Sequence, residues 1–145
     1  MLSIKTMSTG LTQENHKTFH TIRALVVDED VVYQNLLCRL LVLHGMKVVG
    51  KTSHLDQAVG IYHDVAPDVV LVDLSSDVES RVTRLFKIKE IDPVAKIIVF
   101  SILNFFDDIV QSRDGLIDAH IVKGSAAKEI VGTIHRVVKG KGNKY

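Results

Sequence analysis

Five short apolar runs divide the chain, and each run stops at a polar or charged residue. The runs are rich in β-branched side chains and most are nearly continuous in apolar character; they span residues 22–27, 47–50, 68–72, 96–100 and 119–122. A strand with one face in water alternates apolar and polar residues, whereas a strand covered on both faces does not. The runs therefore predict a parallel sheet with helices packed on both faces.

Longer stretches between the runs place apolar residues at intervals of three and four, as amphipathic helices do. Gly45 is expected to end the first helix, and Ser125 to cap the start of the last one, which ends near Gly140. The apolar stripes comprise Val32, Leu36, Leu37, Leu40, Leu41 and Leu43; Leu55, Ala58, Val59 and Tyr62; Val82, Leu85, Phe86 and Ile88; Ile109 and Val110; and Ala127, Ile130, Val131, Ile134, Val137 and Val138.

This alternation of strands and helices is typical of the α/β class, in which right-handed crossovers build an open parallel sheet. We expect one folded domain over residues 22–140. Residues 1–21 are polar and without sustained periodicity, and 141–145 are rich in lysine and glycine, so both are expected to be flexible tails.

The charge balance excludes one class of function. Lysine and arginine number 18 against 17 acidic residues, a net charge of +1, so no bulk positive charge holds the chain to nucleic acid. The apolar runs are far shorter than the roughly 20 residues that span a membrane, and the amino terminus lacks a secretory signal. With one cysteine, Cys38, we expect a cytoplasmic domain without disulfides and without membrane attachment.

Chemically useful residues follow four of the five runs. Ligands of open α/β sheets bind outside the carboxyl ends of the strands, so these side chains are expected to meet at one edge. Three carboxylates held together repel one another unless a cation lies among them, and a hard ion with oxygen ligands, Mg²⁺ first, meets that need. The residues concerned are Asp28 and Glu29, Asp73, Ser101 and Lys123.

The order and spacing of these residues resemble the receiver domain of two-component response regulators, and most nearly receivers of the NarL type. The resemblance rests on residues 24–30, 66–74, 95–101 and 120–125 and covers roughly 22–140. It implies a flavodoxin-like (βα)5 fold with strand order 2-1-3-4-5.

The resemblance also implies a role for each matching residue. Asp73 would be the phosphoacceptor, and Mg²⁺ would be held by Asp28, Glu29, Asp73 and the backbone carbonyl of Ser75. Ser101 would be the switch hydroxyl and Lys123 the lysine that pairs with the phosphoryl group. His120 stands where the family commonly has the aromatic residue that moves with that hydroxyl.

These roles imply a phosphorelay protein rather than a conventional enzyme. Asp73 would accept a phosphoryl group from a histidine kinase or a histidine phosphotransfer protein, and the chain would promote its own phosphorylation and dephosphorylation. Since the receiver occupies nearly all of the 145 residues, we expect the signal to pass to a separate downstream protein. A homodimer is compatible with this role, and direct nucleic acid binding is not expected.

Two other functions remain open at this point. Glu29 replaces the more usual Asp, His120 replaces the aromatic residue, and the Met-Pro pair and the glycine that commonly follow the phosphoacceptor are absent. A receiver-like interaction module that works without phosphorylation is therefore the main alternative. An α/β phosphatase with Asp73 as nucleophile is weaker, because such enzymes usually carry a second Asp where this chain has Ser75.

Overall fold

The computed structural model describes residues 20–74, 78–102 and 115–140, and of residues 78 and 79 only the backbone. Within these ranges lie five strands and four helices: β1 (Arg23–Val27), α1 (Val31–Leu43), β2 (Lys47–Thr52), α2 (Leu55–Val65), β3 (Val69–Asp73), α3 (Val78–Ile91), β4 (Ile97–Ser101), β5 (Ala119–Val122) and α4 (Ala127–Lys139). The helix predicted around Ile109 and Val110 lies outside the described residues, as do Ser75 and most of the predicted tails.

The five strands form one parallel sheet in the order β2-β1-β3-β4-β5. This confirms both the α/β class and the strand order that the resemblance implied. Strands β1 and β3 are neighbours, and the chain moves outward from them in opposite directions, so their carboxyl ends flank the point where strand order reverses. That point is where open α/β sheets bind ligands.

Alternate side chains of the central strands enter two separate cores, one on each face of the sheet. Leu25 and Val27 pack with helices α2 and α3. Ala24 and Val26 pack with helices α1 and α4. Because both faces are covered, neither set of side chains reaches water, which explains why the strand sequences are continuously apolar.

A close approach of backbone to side chains occurs where β2 meets β1. The register shifts by one residue between Ala24 and Leu25, which brings Gly50 opposite Leu25. A Cβ atom on Gly50 would lie 2.9 Å from Cγ2 of Ile61 and 3.1 Å from Cδ1 of Leu25. Helix α2 therefore packs onto the sheet through the space that this glycine leaves open.

The helix ends agree with the sequence at one place and not at another. Gly45, with φ +79°, follows the end of α1 as expected. The prediction that Ser125 caps the last helix was wrong: the cap position is Ala126, without a side-chain hydrogen bond. The Ser125 hydroxyl instead donates to the Val122 carbonyl at 2.6 Å, because the turn through Gly124, with φ +91°, folds Ser125 back on the strand.

No helix in the described part of the chain combines the length and the apolar character that crossing a membrane requires.

Candidate functional site

Asp28, the first residue after β1, is buried at the carboxyl edge of the sheet. Its backbone N–H donates to the carbonyl of Thr52 at 3.0 Å, which fixes the loop against β2. Its Oδ1 accepts from the backbone N–H of Asp30 at 2.8 Å. Burial raises the pKa of Asp28 above its usual value, and the negative charge of Asp73 adds to the increase. The carboxylate form of Asp28 is thus held at some electrostatic cost.

Asp73, which is buried, and Lys123, which is partly buried, complete a charged cluster with Asp28. Asp73 ends strand β3, and Lys123 follows β5, where its backbone N–H donates to the Ser101 carbonyl at 2.7 Å. The Lys123 Nζ lies 3.0 Å from Oδ2 of Asp28 and 3.2 Å from Oδ1 of Asp73. Burial alone would lower the pKa of Lys123, but the hydrogen bond to Asp28 and the charge of Asp73 outweigh it and raise that pKa. One ammonium is therefore shared by two carboxylates.

An aromatic ring that the sequence analysis did not identify covers this lysine. The Lys123 Nζ lies 4.8 Å from the centroid of the Tyr33 ring, a cation–π distance. The same ring packs against Phe100 at a centroid separation of 6.1 Å. Tyr33 lies in the first turn of α1, after the Asp30 cap, whose Oδ1 accepts from the Tyr33 N–H at 3.1 Å. The capped start of α1 thus directs an aromatic ring over the site.

Glu29 does not join the cluster but pairs with a buried arginine. Its Oε2 forms an ion pair with the guanidinium of Arg81, and the Glu29 side chain is 53% exposed whereas Arg81 is 4% exposed. The Arg81 Nη1 also donates to the Asp73 backbone carbonyl at 3.2 Å. Sequence reasoning missed Arg81, although its spacing of four and seven from Leu85 and Ile88 places it on the buried stripe of α3.

Ser101 and His120 contact each other directly on neighbouring strands. Ser101 ends β4 and is buried. Its Oγ lies 2.8 Å from Nε2 of His120 on β5, a hydrogen-bond distance. The two residues that the resemblance assigned to switching are therefore joined, whichever of them donates. Ser75, the remaining predicted metal ligand, lies outside the described residues.

The structure thus brings together Asp28, Asp73 and Lys123, and separately joins Ser101 to His120. Within the described ranges no group of three or more histidine, cysteine, aspartate or glutamate side chains is arranged to hold a metal ion. Asp28 and Asp73 nevertheless fit a small hard cation, because both are buried oxygen donors that already share one positive charge. The role of Glu29 as a metal ligand stays a prediction.

One protein family matches this chain over most of its folded part. Its description is Response regulator receiver domain, and the match spans residues 24–135.

Two curated proteins illustrate the similarity in sequence. The chemotaxis protein CheY of Bacillus subtilis is 28% identical over 116 residues, which are 80% of this chain and 97% of CheY. The response regulator protein VraR of Staphylococcus aureus is 27% identical over 124 residues, 83% of this chain. The chain spans 58% of the length of VraR.

Solved structures show the same fold. A LuxR-family two-component response regulator from Aurantimonas sp. SI85-9A1 superposes with a TM-score of 0.74 at 22% identity, covering 83% of this chain and 87% of that one. The CheX–CheY–BeF3–Mg²⁺ complex from Borrelia burgdorferi gives a TM-score of 0.74 at 21% identity, covering 84% of this chain and 92% of that one.

Proposed function

The chain belongs to the response regulator receiver domain family, a family of signalling modules rather than classical enzymes, and we propose that its Asp73 accepts a phosphoryl group. The donor would be a phosphohistidine on a histidine kinase or a histidine phosphotransfer protein. One observation carries the proposal: Asp73 and Asp28 share the ammonium of Lys123 at the carboxyl ends of β1, β3 and β5. A nucleophile, a second acid and a cation are thereby collected where the fold binds ligands.

The transfer itself uses the carboxylate of Asp73. One of its oxygens attacks the phosphorus atom, the phosphorus–nitrogen bond to the donor imidazole breaks, and that nitrogen leaves with the bonding electrons and takes up a proton. The product is an acyl phosphate on Asp73. Because β3 is buried along its whole length, the carboxylate has little freedom to move, and that restriction favours an in-line approach.

Positive charge beside Asp73 offsets the charge of the incoming group. Lys123 already contacts Asp73, and its raised pKa keeps it protonated at neutral pH. After transfer its ammonium would pair with a phosphoryl oxygen. A bound Mg²⁺, held by oxygens of Asp28 and Asp73, would supply further positive charge to the phosphoryl oxygens. The solved complex from Borrelia burgdorferi contains CheX, CheY, BeF3 and Mg²⁺, which supports this ligand class.

The response to phosphorylation would pass through Ser101 and His120. Their hydrogen bond occupies the Ser101 hydroxyl in the structure described. A phosphoryl oxygen on Asp73 would compete for that hydroxyl, and its movement would release His120 on β5, a strand at the edge of the sheet. We propose that a separate downstream protein, or a second copy of this chain, reads that change in the cytoplasm.

Phosphorylation of Asp73 is tested by intact-mass measurement after incubation with acetyl phosphate and Mg²⁺. The native chain is expected to gain the mass of one phosphoryl group, located at Asp73 by peptide mapping. The label should be lost on treatment with hydroxylamine, as an acyl phosphate requires. Asp73→Asn is the matched control, and equal labelling of that variant would refute the proposal.

One observation favours a second candidate, a receiver-like interaction module that works without phosphate. Each of the three predicted acidic residues already contacts a cation within the protein, Lys123 for Asp28 and Asp73 and Arg81 for Glu29. Such a site needs no metal ion to be stable. Titration with Mg²⁺ separates the two functions, because the second predicts no binding in the millimolar range.

A further inference from the structure

Arg81 has an unusual position for a charged residue. It lies in the first turn of α3, where the helix dipole disfavours a positive charge. It is almost fully buried, and its Nε finds no hydrogen-bond acceptor in the described part of the chain. Both features lower stability. A buried arginine at this position therefore needs contacts that compensate for the cost.

Those contacts join the loop after β1 to the end of β3, the two segments that carry Glu29 and Asp73. The guanidinium pairs with Glu29 in the loop after β1 and donates to the backbone carbonyl of Asp73 at the end of β3. We propose that Arg81 is a tethered cation that competes with a divalent metal ion for Glu29, and so sets the metal affinity of the site. This rests on the proposed function, which supplies the metal.

The charge balance of the site supports competition. Three carboxylates, Asp28, Glu29 and Asp73, face two cations, Lys123 and Arg81, which leaves a net charge of −1. Without Arg81 the net charge would be −2, equal and opposite to that of a divalent ion. Each positive side chain kept at the site therefore reduces the attraction for the metal.

The exposure of the two partners indicates which one moves. Arg81 is 4% exposed and Glu29 is 53% exposed. The arginine is buried and also donates to the Asp73 carbonyl, whereas about half of the Glu29 side chain lies in water, so its carboxylate is the partner that can turn away. Metal binding through Glu29 would therefore require the Glu29 carboxylate to leave Arg81. The free energy of that ion pair would be lost, and the free energy of metal binding would be less favourable by the same amount.

The test is calorimetric titration with Mg²⁺ at fixed ionic strength. Arg81→Met keeps the volume and the apolar stem but removes the charge. We expect it to bind Mg²⁺ about tenfold more tightly than the native chain, equivalent to about 1.4 kcal/mol. Arg84→Met is the matched control, because Arg84 lies on the same helix but pairs with Asp56 on the surface; its affinity should equal that of the native chain.

The Glu29→Gln background tests whether the competition acts at Glu29. There the Arg81→Met change should tighten binding by only about two- to threefold, because competition for the Glu29 carboxylate is gone and only the long-range repulsion by the Arg81 charge is removed. A tenfold effect that persists in this background would overturn the assignment to Glu29. An affinity of Arg81→Met that is unchanged or weaker, in a variant that unfolds cooperatively in urea, would overturn the competition itself.

Arg81→Lys keeps the test decisive if the methionine variant does not fold. A lysine retains the charge but lacks the forked donors of arginine, so we expect a smaller increase in Mg²⁺ affinity, about threefold. No increase would count against the proposal.

Labelling of the native chain by acetyl phosphate is measured in parallel. Label at Asp73 with no change in Arg81 variants rejects only this inference, whereas no label on the native chain rejects the proposed function.

Discussion

Lys123 and Asp28 are 95 residues apart in the chain, yet the Lys123 Nζ lies 3.2 Å from Oδ1 and 3.0 Å from Oδ2 of Asp28. The Asp28 side chain is buried and the Lys123 side chain is 11% exposed, and the same ammonium also contacts Asp73. Two like charges that share one counter-ion repel each other, so the arrangement stores electrostatic free energy at the edge of the sheet. That free energy is available to favour an incoming cation.

Replacing Asp28 by Asn is expected to stabilise the fold. The Asn Oδ1 still accepts from the Asp30 N–H, and Lys123 keeps Asp73, while one buried negative charge disappears. The free energy of unfolding at pH 7 should rise by about 1 kcal/mol, measured by urea denaturation without divalent ions. Asp64→Asn, at an exposed site, is the control and should change it by less than about 0.5 kcal/mol. A clear loss of stability in Asp28→Asn would show that the charge itself is structural.

Removing the shared ammonium is expected to make stability depend on pH in the acidic range. Lys123→Met leaves Asp28 and Asp73 buried without their counter-ion, which should cost about 3 kcal/mol at pH 7. Burial already raises the pKa of Asp28 above 3.8, and loss of Lys123 raises it further. The folded variant then binds a proton that the unfolded chain does not, so its stability should increase as pH falls toward about 5.

Parallel urea titrations at several pH values measure this effect. The double variant Lys123→Met with Asp28→Asn serves as the control, because it lacks the titrating group and should lose most of the recovery. In the native chain the raised pKa of Lys123 affects stability at alkaline pH instead. The stability that this raised pKa contributes is present below pH 10.5 and is lost as the pH rises above that value. A deficit in Lys123→Met that is constant with pH would contradict this account.

The hydrogen bond between Ser101 and His120 is expected to oppose the phosphorylated form. His120→Phe removes the hydrogen bond between the imidazole and the Ser101 hydroxyl, so an anion on Asp73 no longer competes with that bond. Beryllium fluoride mimics a phosphoryl group, and its affinity in the presence of Mg²⁺ should increase about two- to tenfold. That factor corresponds to the net free energy of one ordinary hydrogen bond. The same change on a Ser101→Ala background should have little effect. Weaker binding would mean instead that His120 orients the hydroxyl toward the phosphoryl group.

Gly50 and Gly60 provide a test of the fold that is independent of the site. Gly50→Ala places a Cβ 2.9 Å from Ile61 Cγ2, so it should lower the free energy of unfolding by about 1–3 kcal/mol. Gly60 lies on α2, and a Cβ added to it would meet no atom within 4 Å. Gly60→Ala should therefore raise stability by about 0.5–1 kcal/mol. Both values come from thermal or urea unfolding, and equal effects would contradict the described packing.

The sheet and the central cluster could be predicted from the sequence because both depend on local signals. A continuous apolar run indicates a strand covered on both faces, and its last residue fixes which side chain reaches the carboxyl edge. Parallel pairing then brings those edges together, so Asp28, Asp73 and Lys123 meet even though no motif spans them.

The contacts of Glu29 and Ser125 could not be predicted in the same way. Glu29 follows the same run as Asp28, yet it pairs with an arginine from α3, and that pairing depends on how closely the loop after β1 approaches the start of this helix. Ser125 has the residue type of a helix cap, but a glycine turn directs its hydroxyl back to β5. In both cases tertiary geometry selects among partners that residue type alone allows.

Strand β5 is an outer strand of the sheet, and this position affects how the site can open locally. Lys123 follows β5, and among the described strands β5 pairs with β4 alone. Local opening of β5 and α4 would therefore remove Lys123 from Asp28 and Asp73 while the other four strands stay paired. Any ligand that needs Lys123 binds only the closed form. Such a ligand stabilises the closed form by mass action, so it slows hydrogen exchange in β5 more than in the other strands. The amides of residues 119–122 therefore report whether the ligand is bound.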